Sequence, residues 1–129
     1  MSVQNIDIAS YQKGVRKTLN REGERVTKAD AEDFFHNKKC TLRILHPQEF
    51  TDSLFNTCSI LQDWFGCVVG ANVYITPPNS QGFAPHYDDV DVFILQVEGR
   101  KLWKLYDSIT PEEVLPEVSS GMQTNNYTA

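Results

Sequence analysis

The stretch that decides the fold covers residues 67–106 and reads CVVGANVYITPPNSQGFAPHYDDVDVFILQVEGRKLWKLY. Its segments Cys67–Thr76 and Val90–Val97 are rich in β-branched and apolar residues, and a third segment, Lys101–Tyr106, follows a tight turn. The run Pro77–Gly82 cannot continue a strand, so it predicts a loop. Strand, loop, strand, turn and strand is typical of antiparallel β architecture, and we expect a barrel or jelly roll.

A short helix and a strand are predicted upstream of this stretch. Thr27 can cap a helix that runs to about Asn37, because its hydroxyl can accept a bond from the first helical turn. Cys40 to Leu45 alternates apolar and polar residues, which predicts a strand. Residues 1–26 are polar and weakly periodic, and no strand is predicted there.

A longer helix is predicted from Pro47 to Phe65, with proline in its first turn and Gly66 at its end. Its apolar residues recur at helical spacing and are expected to face the core: Phe50, Leu54, Cys58, Leu61 and Phe65. The predicted division is an N-terminal helical and loop region at 1–39, a partial barrel domain at 40–110 that includes helix 47–65, and a polar tail at 111–129. The predicted fold class is α+β, with the N-terminal helices packed on an incomplete barrel.

Composition excludes several classes of protein. The chain has 129 residues, enough for one domain with a core. Its net charge of -5 argues against direct nucleic-acid binding, which needs a basic excess. Eight basic and five acidic residues between Lys13 and Lys39 read as an ordinary solvated surface. Neither a signal peptide nor a membrane span is found, so we expect a soluble, intracellular protein without membrane partners.

The cysteines do not form a recognisable framework. Their number is odd and their spacing irregular, which fits neither a disulfide scaffold nor a zinc cluster: Cys40, Cys58 and Cys67. We expect buried or half-buried free thiols.

The chemistry is concentrated in Pro85-His86-Tyr87-Asp88-Asp89. On an extended segment, His86 and Asp88 point to the same side, because side chains alternate with a period of two. One imidazole and one carboxylate would supply two of the three ligands in the facial triad of non-haem iron oxygenases. A His-x-Asp match also arises by chance in surface turns, so the motif is informative only together with its surroundings.

Three further residues extend this candidate site. Lys101 is in phase with Trp103 and Leu105, so on a strand it would face the apolar interior, where an ammonium needs an anionic partner. The alternative is a lysine that extends from a strand end to water. Asn72 and Tyr74 share one face of the earlier strand and could hold a carboxylate, although a tyrosine such as Tyr74, taken alone, is more often a core aromatic with its hydroxyl at the rim.

The run from Gly70 to Asp89, followed by Glu98-Gly99-Arg100-Lys101-Leu102-Trp103, resembles the JmjC-type ribosomal oxygenases. That family includes nucleolar histidyl hydroxylases and histone-lysine demethylases. The resemblance is specific from Gly70 to Tyr106, extends more loosely back through the Phe50–Phe65 helix, and stops near Pro111. It implies a double-stranded β-helix of the cupin type, formed here only in part.

The resemblance also implies cofactors and roles. His86 and Asp88 match the first two Fe(II) ligands, and Lys101 matches the lysine that pairs with the 2-oxoglutarate carboxylate. Tyr74 matches the tyrosine beside that lysine, and Asn72 an active-site asparagine. The implied substrates are a histidine of a large-subunit ribosomal protein and lysines of histone tails, and the implied location is the nucleus and nucleolus.

The sequence departs from the family pattern at the third ligand. The other histidines, His36 and His46, precede the barrel strands, and neither matches the family's distal histidine. The later strands and the family's dimerisation region are also missing, so we expect a fragment, a truncated isoform or an incomplete gene model. Three hypotheses stay open at this point: an oxygenase, a non-catalytic binding module, and a cupin-like structural domain without metal.

Overall fold

A computed structural model describes residues 2–3, 5–20, 24–106 and 119–120. The chain forms two compact units, Met1–Phe83 and Ala84–Ala129. The polar tail predicted at 111–129 lies outside the described residues except for Ser119 and Ser120. The domain boundaries inferred from the sequence stay predictions.

The strands of the described residues all lie in the first unit. They are β1 (Ser2–Val3), β2 (Ile6–Gln12), β3 (Val15–Thr18), β4 (Val26–Thr27), β5 (Thr41–Leu45) and β6 (Asn72–Ile75). Strands β3, β2, β5 and β6 form one antiparallel sheet in that order, and β1 pairs with β4.

One face of the four-stranded sheet carries the hydrophobic core. Ile8 pairs with Leu42 across β2 and β5, and both are buried together with Ile6. The helix α1 (Lys28–His36) places apolar side chains against this cluster. This packing partly buries the apolar stripe of α1, and such packing is the main source of stability for a short helix.

The opposite face of the same sheet, which we term the polar face, carries Asp7, Tyr11, Arg16, Arg43 and Tyr74. The register places Asp7 opposite Arg43, Arg43 opposite Tyr74, and Tyr11 opposite Arg16, so these side chains share one side of the sheet.

The loop after β6 is tied to the sheet at one end. The Tyr11 amide donates to the carbonyl oxygen of Gln81 at 2.8 Å. A Cβ on Gly82 would lie 2.3 Å from the Cβ of Thr41, so only glycine permits this approach. The loop predicted at Pro77–Gly82 is confirmed.

Helix α1 begins where the sequence predicts. Thr27 accepts a bond from the Asp30 amide at 3.2 Å, and the Asp30 carboxylate accepts one from the Thr27 amide at 3.1 Å. These reciprocal bonds form a capping box. The strand predicted from Cys40 to Leu45 is also confirmed, as β5.

The helix predicted from Pro47 to Phe65 is two elements. Pro47–Glu49 is one 3₁₀ turn, and α2 (Asp52–Phe65) starts after an interruption. Phe50, at φ -137°, and Thr51, at φ -136°, leave the helical region, which breaks the predicted helix. Gly66 closes α2 in the left-handed conformation, at φ 67°, as predicted.

The apolar residues of α2 were expected to face the core, but most of them are not buried. Cys58 is the buried residue of the helix, whereas Phe50 and Phe65 are each more than half exposed.

The three cysteines are free, as expected. Cys40 and Cys58 are buried, which agrees with the expectation, but Cys67 is exposed. No helix within the described ranges is long and apolar enough to cross a lipid bilayer.

The strands predicted around the motif are wrong in large part. From Cys67 to Thr76 only Asn72–Ile75 is a strand, and neither Val90–Val97 nor Lys101–Tyr106 is one. Phe93 is 79% exposed and Leu105 is 89% exposed. A strand requires a partner for its ladder, and the described residues of the second unit provide none to these segments.

Candidate active site

His86 lies in the second unit and is oriented by its own backbone. Its Nδ1 is 2.8 Å from the carbonyl oxygen of Ala84. A carbonyl oxygen can only accept, so Nδ1 donates this bond, and in a neutral ring Nε2 would be the nitrogen that can bind a metal. Histidines that bind metals characteristically donate their other ring N–H to a carbonyl or a carboxylate. The local geometry therefore fits a metal-binding histidine.

The segment around His86 is held by two serines far along the chain. The Tyr87 amide donates to Ser120 Oγ at 3.0 Å, and the Ser120 amide donates to the Tyr87 carbonyl at 3.0 Å. The Asp89 amide donates to Ser119 Oγ at 3.1 Å. These bonds hold alternate residues, 87 and 89, while His86 and Asp88 are exposed.

Ser119 and Ser120 were missed by sequence reasoning, which treated this part of the chain as a structureless tail. No local signal would have found them, because both contacts span about 30 residues: 30 for Ser119 and 33 for Ser120. The hydroxyl of Ser119 donates to Asp89 Oδ1 at 2.7 Å, and this bond lowers the pKa of the Asp89 carboxyl.

Lys101 also lies in the second unit. The residue is exposed, and its Nζ lies 5.1 Å from the centroid of the Trp103 ring. Partial desolvation lowers the pKa of Lys101 below its ordinary value. The expected inward position on a strand is not observed, because the segment has no strand and Trp103 is itself 49% exposed.

Asn72 and Tyr74 lie on β6 in the first unit, on the same face of the strand as predicted. The Tyr74 ring meets the Phe83 ring edge-on at 5.4 Å. Arg43, opposite Tyr74, bonds to Asp7 through Nε at 3.0 Å and through Nη2. Burial acts to lower the pKa of Arg43, but the bonds to Asp7 and Tyr74 outweigh it, so the pKa lies above its ordinary value.

The donor set fits part of an iron site. One imidazole and one carboxylate, separated by one residue, match two of the three positions of a facial triad. Within the part of the chain that the structure describes, no three His, Cys, Asp or Glu side chains are grouped so that they could hold a metal. The described residues thus offer at most two ligands of such a triad at this motif.

A family model described as the JmjC domain matches residues 43–128. The chain belongs to the JmjC-domain family. The match includes the last three residues of β5 together with α2, β6 and the His86 segment. A JmjC domain implies a cupin or jelly-roll fold, and the antiparallel sheet and two helices seen here are consistent with it.

Curated relatives agree with the JmjC assignment. The chain is 51% identical over 124 residues to a protein of Drosophila willistoni named bifunctional lysine-specific demethylase and histidyl-hydroxylase NO66, which covers 96% of this chain and 15% of the relative. Proteins of the same name from Drosophila grimshawi and Aedes aegypti are 51% and 50% identical over 117 residues, which is 91% of this chain and 16% and 18% of those relatives. The chain thus spans less than a fifth of the length of these relatives.

Proposed function

We propose that this chain is the front part of an Fe(II)- and 2-oxoglutarate-dependent protein oxygenase, with His86 and Asp88 as two of its three iron ligands. The observation that carries the proposal is the bond from His86 Nδ1 to the Ala84 carbonyl, a kind of bond that metal-binding histidines commonly make through their other ring nitrogen. Asp88 follows two residues later, in a chain whose family is shown.

Each further residue has a role in this proposal. The Lys101 ammonium neutralises the distal carboxylate of 2-oxoglutarate. The pKa of Lys101 is lowered by partial desolvation, but a bound carboxylate favours the charged form of the lysine and so maintains the ion pair. Tyr74 and Asn72 position the cofactor by hydrogen bonds. When bound, iron and 2-oxoglutarate supply the oxidising chemistry with molecular oxygen, and the protein positions the carbon to be hydroxylated.

The complete site needs more polypeptide. We propose that the remaining strands of a double-stranded β-helix, together with the third ligand, are contributed by sequence outside this chain. The sequence has no histidine after His86, which supports this. It equally favours a second function for the 129-residue chain by itself, namely a binding module that contacts the substrate without turnover.

The substrate class follows from the relatives' names. They are called lysine-specific demethylases and histidyl-hydroxylases, so we propose a protein substrate that presents a histidine or a lysine. A large-subunit ribosomal protein is the proposed histidine substrate and histone tails the proposed lysine substrate. The nucleus and nucleolus are the proposed location, and no direct nucleic-acid contact is required.

The test uses a chimera in which this chain is continued by the following JmjC residues of the Drosophila willistoni relative. We expect the chimera to convert 2-oxoglutarate to succinate when Fe(II) and a histidine-containing ribosomal peptide are present. His86→Ala should abolish the conversion, whereas His36→Ala, which removes an exposed histidine from α1, should leave it unchanged. Turnover that survives His86→Ala would disprove the assignment.

The binding-module alternative has its own readout. The 129-residue chain by itself should bind the same peptide without forming succinate if it acts as a module. Peptide binding by the chimera that is absent from the 129-residue chain would assign substrate contact to the added residues, and would remove the alternative.

A further inference from the structure

Two arginines on the polar face contact one aromatic ring. The guanidinium carbon of Arg16 lies 4.3 Å from the centroid of the Phe83 ring, and that of Arg43 lies 5.3 Å from the same centroid. Both distances are within the range of a cation–π contact. A ring can face two cations, but it neutralises neither charge.

The two cations are not equally satisfied. Arg43 uses Nε and Nη2, the two donors on one edge of its guanidinium, to bind a single oxygen of Asp7. The same two atoms of Arg16 are buried and have no hydrogen-bond partner among the described residues. Burying donors without an acceptor is costly, and more so for a charged group. The Asp7 carboxylate bonds to Arg43, so the polar face has one carboxylate for two partly buried guanidinium groups.

The electrostatic environment of Arg16 reflects this excess of positive charge. Burial lowers the pKa of Arg16, the charge of Arg43 lowers it further, and Asp7 and Tyr74 act in the opposite direction. The guanidinium stays charged at neutral pH in spite of this. An anion that reached Arg16 would therefore supply both the missing acceptors and the missing charge.

We propose that Arg16 is an anion-binding residue, and that its ligand is a carboxylate held by Nε and Nη2. The polar face itself supplies the precedent, since Arg43 binds the Asp7 carboxylate by that same edge. A planar carboxylate matches the two parallel donors of this edge. Arg16 is half-buried as a residue, but its Nε and Nη2 atoms are shielded from solvent, so binding requires neighbouring side chains to move and admit the anion.

Two sources carry this chemistry: the acidic side chain of another polypeptide segment, and a free small acid. Neither requires iron or Lys101. The polar face also carries Tyr74, which acts electrostatically on Arg16, so a free diacid at Arg16 rests on the proposed function, whereas an acidic side chain does not. A single carboxylate on one guanidinium should bind weakly, with a Kd of about 1 mM.

The experiment is a titration of the 15N-labelled 129-residue chain with sodium acetate and with glutarate, at constant ionic strength set by sodium chloride. We expect the Nε–Hε resonance of Arg16 to shift saturably, and the resonances of the exposed arginines Arg25 and Arg100 to stay in place. This readout needs no variant, so it does not depend on a substitution being tolerated. A linear, unsaturated drift of all arginine resonances would overturn the proposal.

A matched pair of variants gives the second readout, the rise in melting temperature caused by each anion. Arg16→Met should lose this rise, whereas Lys17→Met should keep it, because Lys17 is the adjacent residue on β3 with the same charge on the opposite face. Equal loss in both variants would show general charge screening and overturn the proposal.

The choice of anion identifies the source. Glutarate that binds about tenfold more tightly than acetate, a difference of about 1.4 kcal/mol, indicates a free diacid. Equal affinities for acetate and glutarate, counted per carboxylate, indicate that the ligand is the acidic side chain of a polypeptide. Inorganic phosphate that binds tenfold more tightly than either would overturn the assignment to a carboxylate.

Discussion

The Nδ1 atom of His86 lies 2.8 Å from the carbonyl oxygen of Ala84, two residues earlier in the chain. A carbonyl oxygen has no hydrogen to donate, so Nδ1 is the donor of this bond. Metal-binding histidines make the same kind of bond through the ring nitrogen that does not bind the metal, and the proposed role of His86 rests on this contact.

The capping box of α1 should be measurable in the stability of the chain. Thr27→Ala removes the two bonds that the Thr27 hydroxyl makes with Asp30 and leaves the bond from the Thr27 amide, so it should lower the free energy of unfolding by about 1 kcal/mol. Urea unfolding followed by circular dichroism gives the value. Thr51→Ala is the control, because Thr51 occupies the same position in α2 but makes no side-chain capping bond. An equal loss in the control would contradict the role of the capping box.

The elements with local signals could be predicted from the sequence. Thr27 with Asp30, and Gly66 at the end of α2, mark helix ends through bonds and backbone angles within a few residues. The hairpin between β2 and β3 was missed although it has a signal: Lys13 and Gly14 at φ 52° and 79° are a turn pair that follows the alternation of Ile6 and Ile8.

The elements that depend on distant partners were predicted less well. Val90–Val97 has the composition of a strand, but a strand forms only when a second strand supplies its hydrogen bonds. The choice of Ser119 and Ser120 as partners of the His86 segment has no local cause at all. At the candidate site the motif and the shared face of Asn72 and Tyr74 were predictable, whereas the exposure of Lys101 was not.

Ser119 should control the acidity of Asp89. The Ser119 hydroxyl lowers the pKa of the Asp89 carboxyl by a hydrogen bond that favours the charged form. Ser119→Ala should therefore move this pKa upward, toward its ordinary value. The depressed pKa contributes stability above the ordinary pKa of aspartate, and that contribution is lost as the pH falls through the folded-state pKa.

A carbon-detected NMR titration of the Asp89 carboxyl measures this shift. Ser120→Ala is the control, because Ser120 bonds to Tyr87 and not to the Asp89 side chain. A pKa of Asp89 that is the same in Ser119→Ala and in the unchanged chain would show that the hydrogen bond is not formed in solution.

Lys101 should matter for the cofactor more than for the protein substrate. In the chimera, Lys101→Ala leaves the distal carboxylate of 2-oxoglutarate without its cation, which costs about 3 kcal/mol. The KM for 2-oxoglutarate should then rise by about a hundredfold, with little change in the KM for the peptide. Lys104→Ala, three residues further along, should change neither. An unchanged KM for 2-oxoglutarate in Lys101→Ala would remove Lys101 from the cofactor site.

The segment Val92–Val97 should be the least protected apolar part of the chain. Its side chains are exposed, among them Leu95 at 85% and Val97 at 88%, and it has no ladder partner among the described residues. Each large apolar side chain left exposed forgoes about 2 kcal/mol. Amide exchange of the 129-residue chain should be fast here and slow in β2 and β5. Exchange of Val92–Val97 as slow as that of Ile8 would show a self-sufficient domain.

The most direct test of the iron assignment is calorimetry with Mn(II), a redox-inert stand-in for Fe(II), on three proteins: the 129-residue chain, the chimera and the chimera with His86→Ala. We expect weak binding by the 129-residue chain, which offers two ligands, and a Kd of about 1 μM, or about -8 kcal/mol, for the chimera. His86→Ala should remove that binding. Micromolar binding by the 129-residue chain, or binding by the chimera that persists without His86, would contradict the assignment of His86 and Asp88 as two of three ligands.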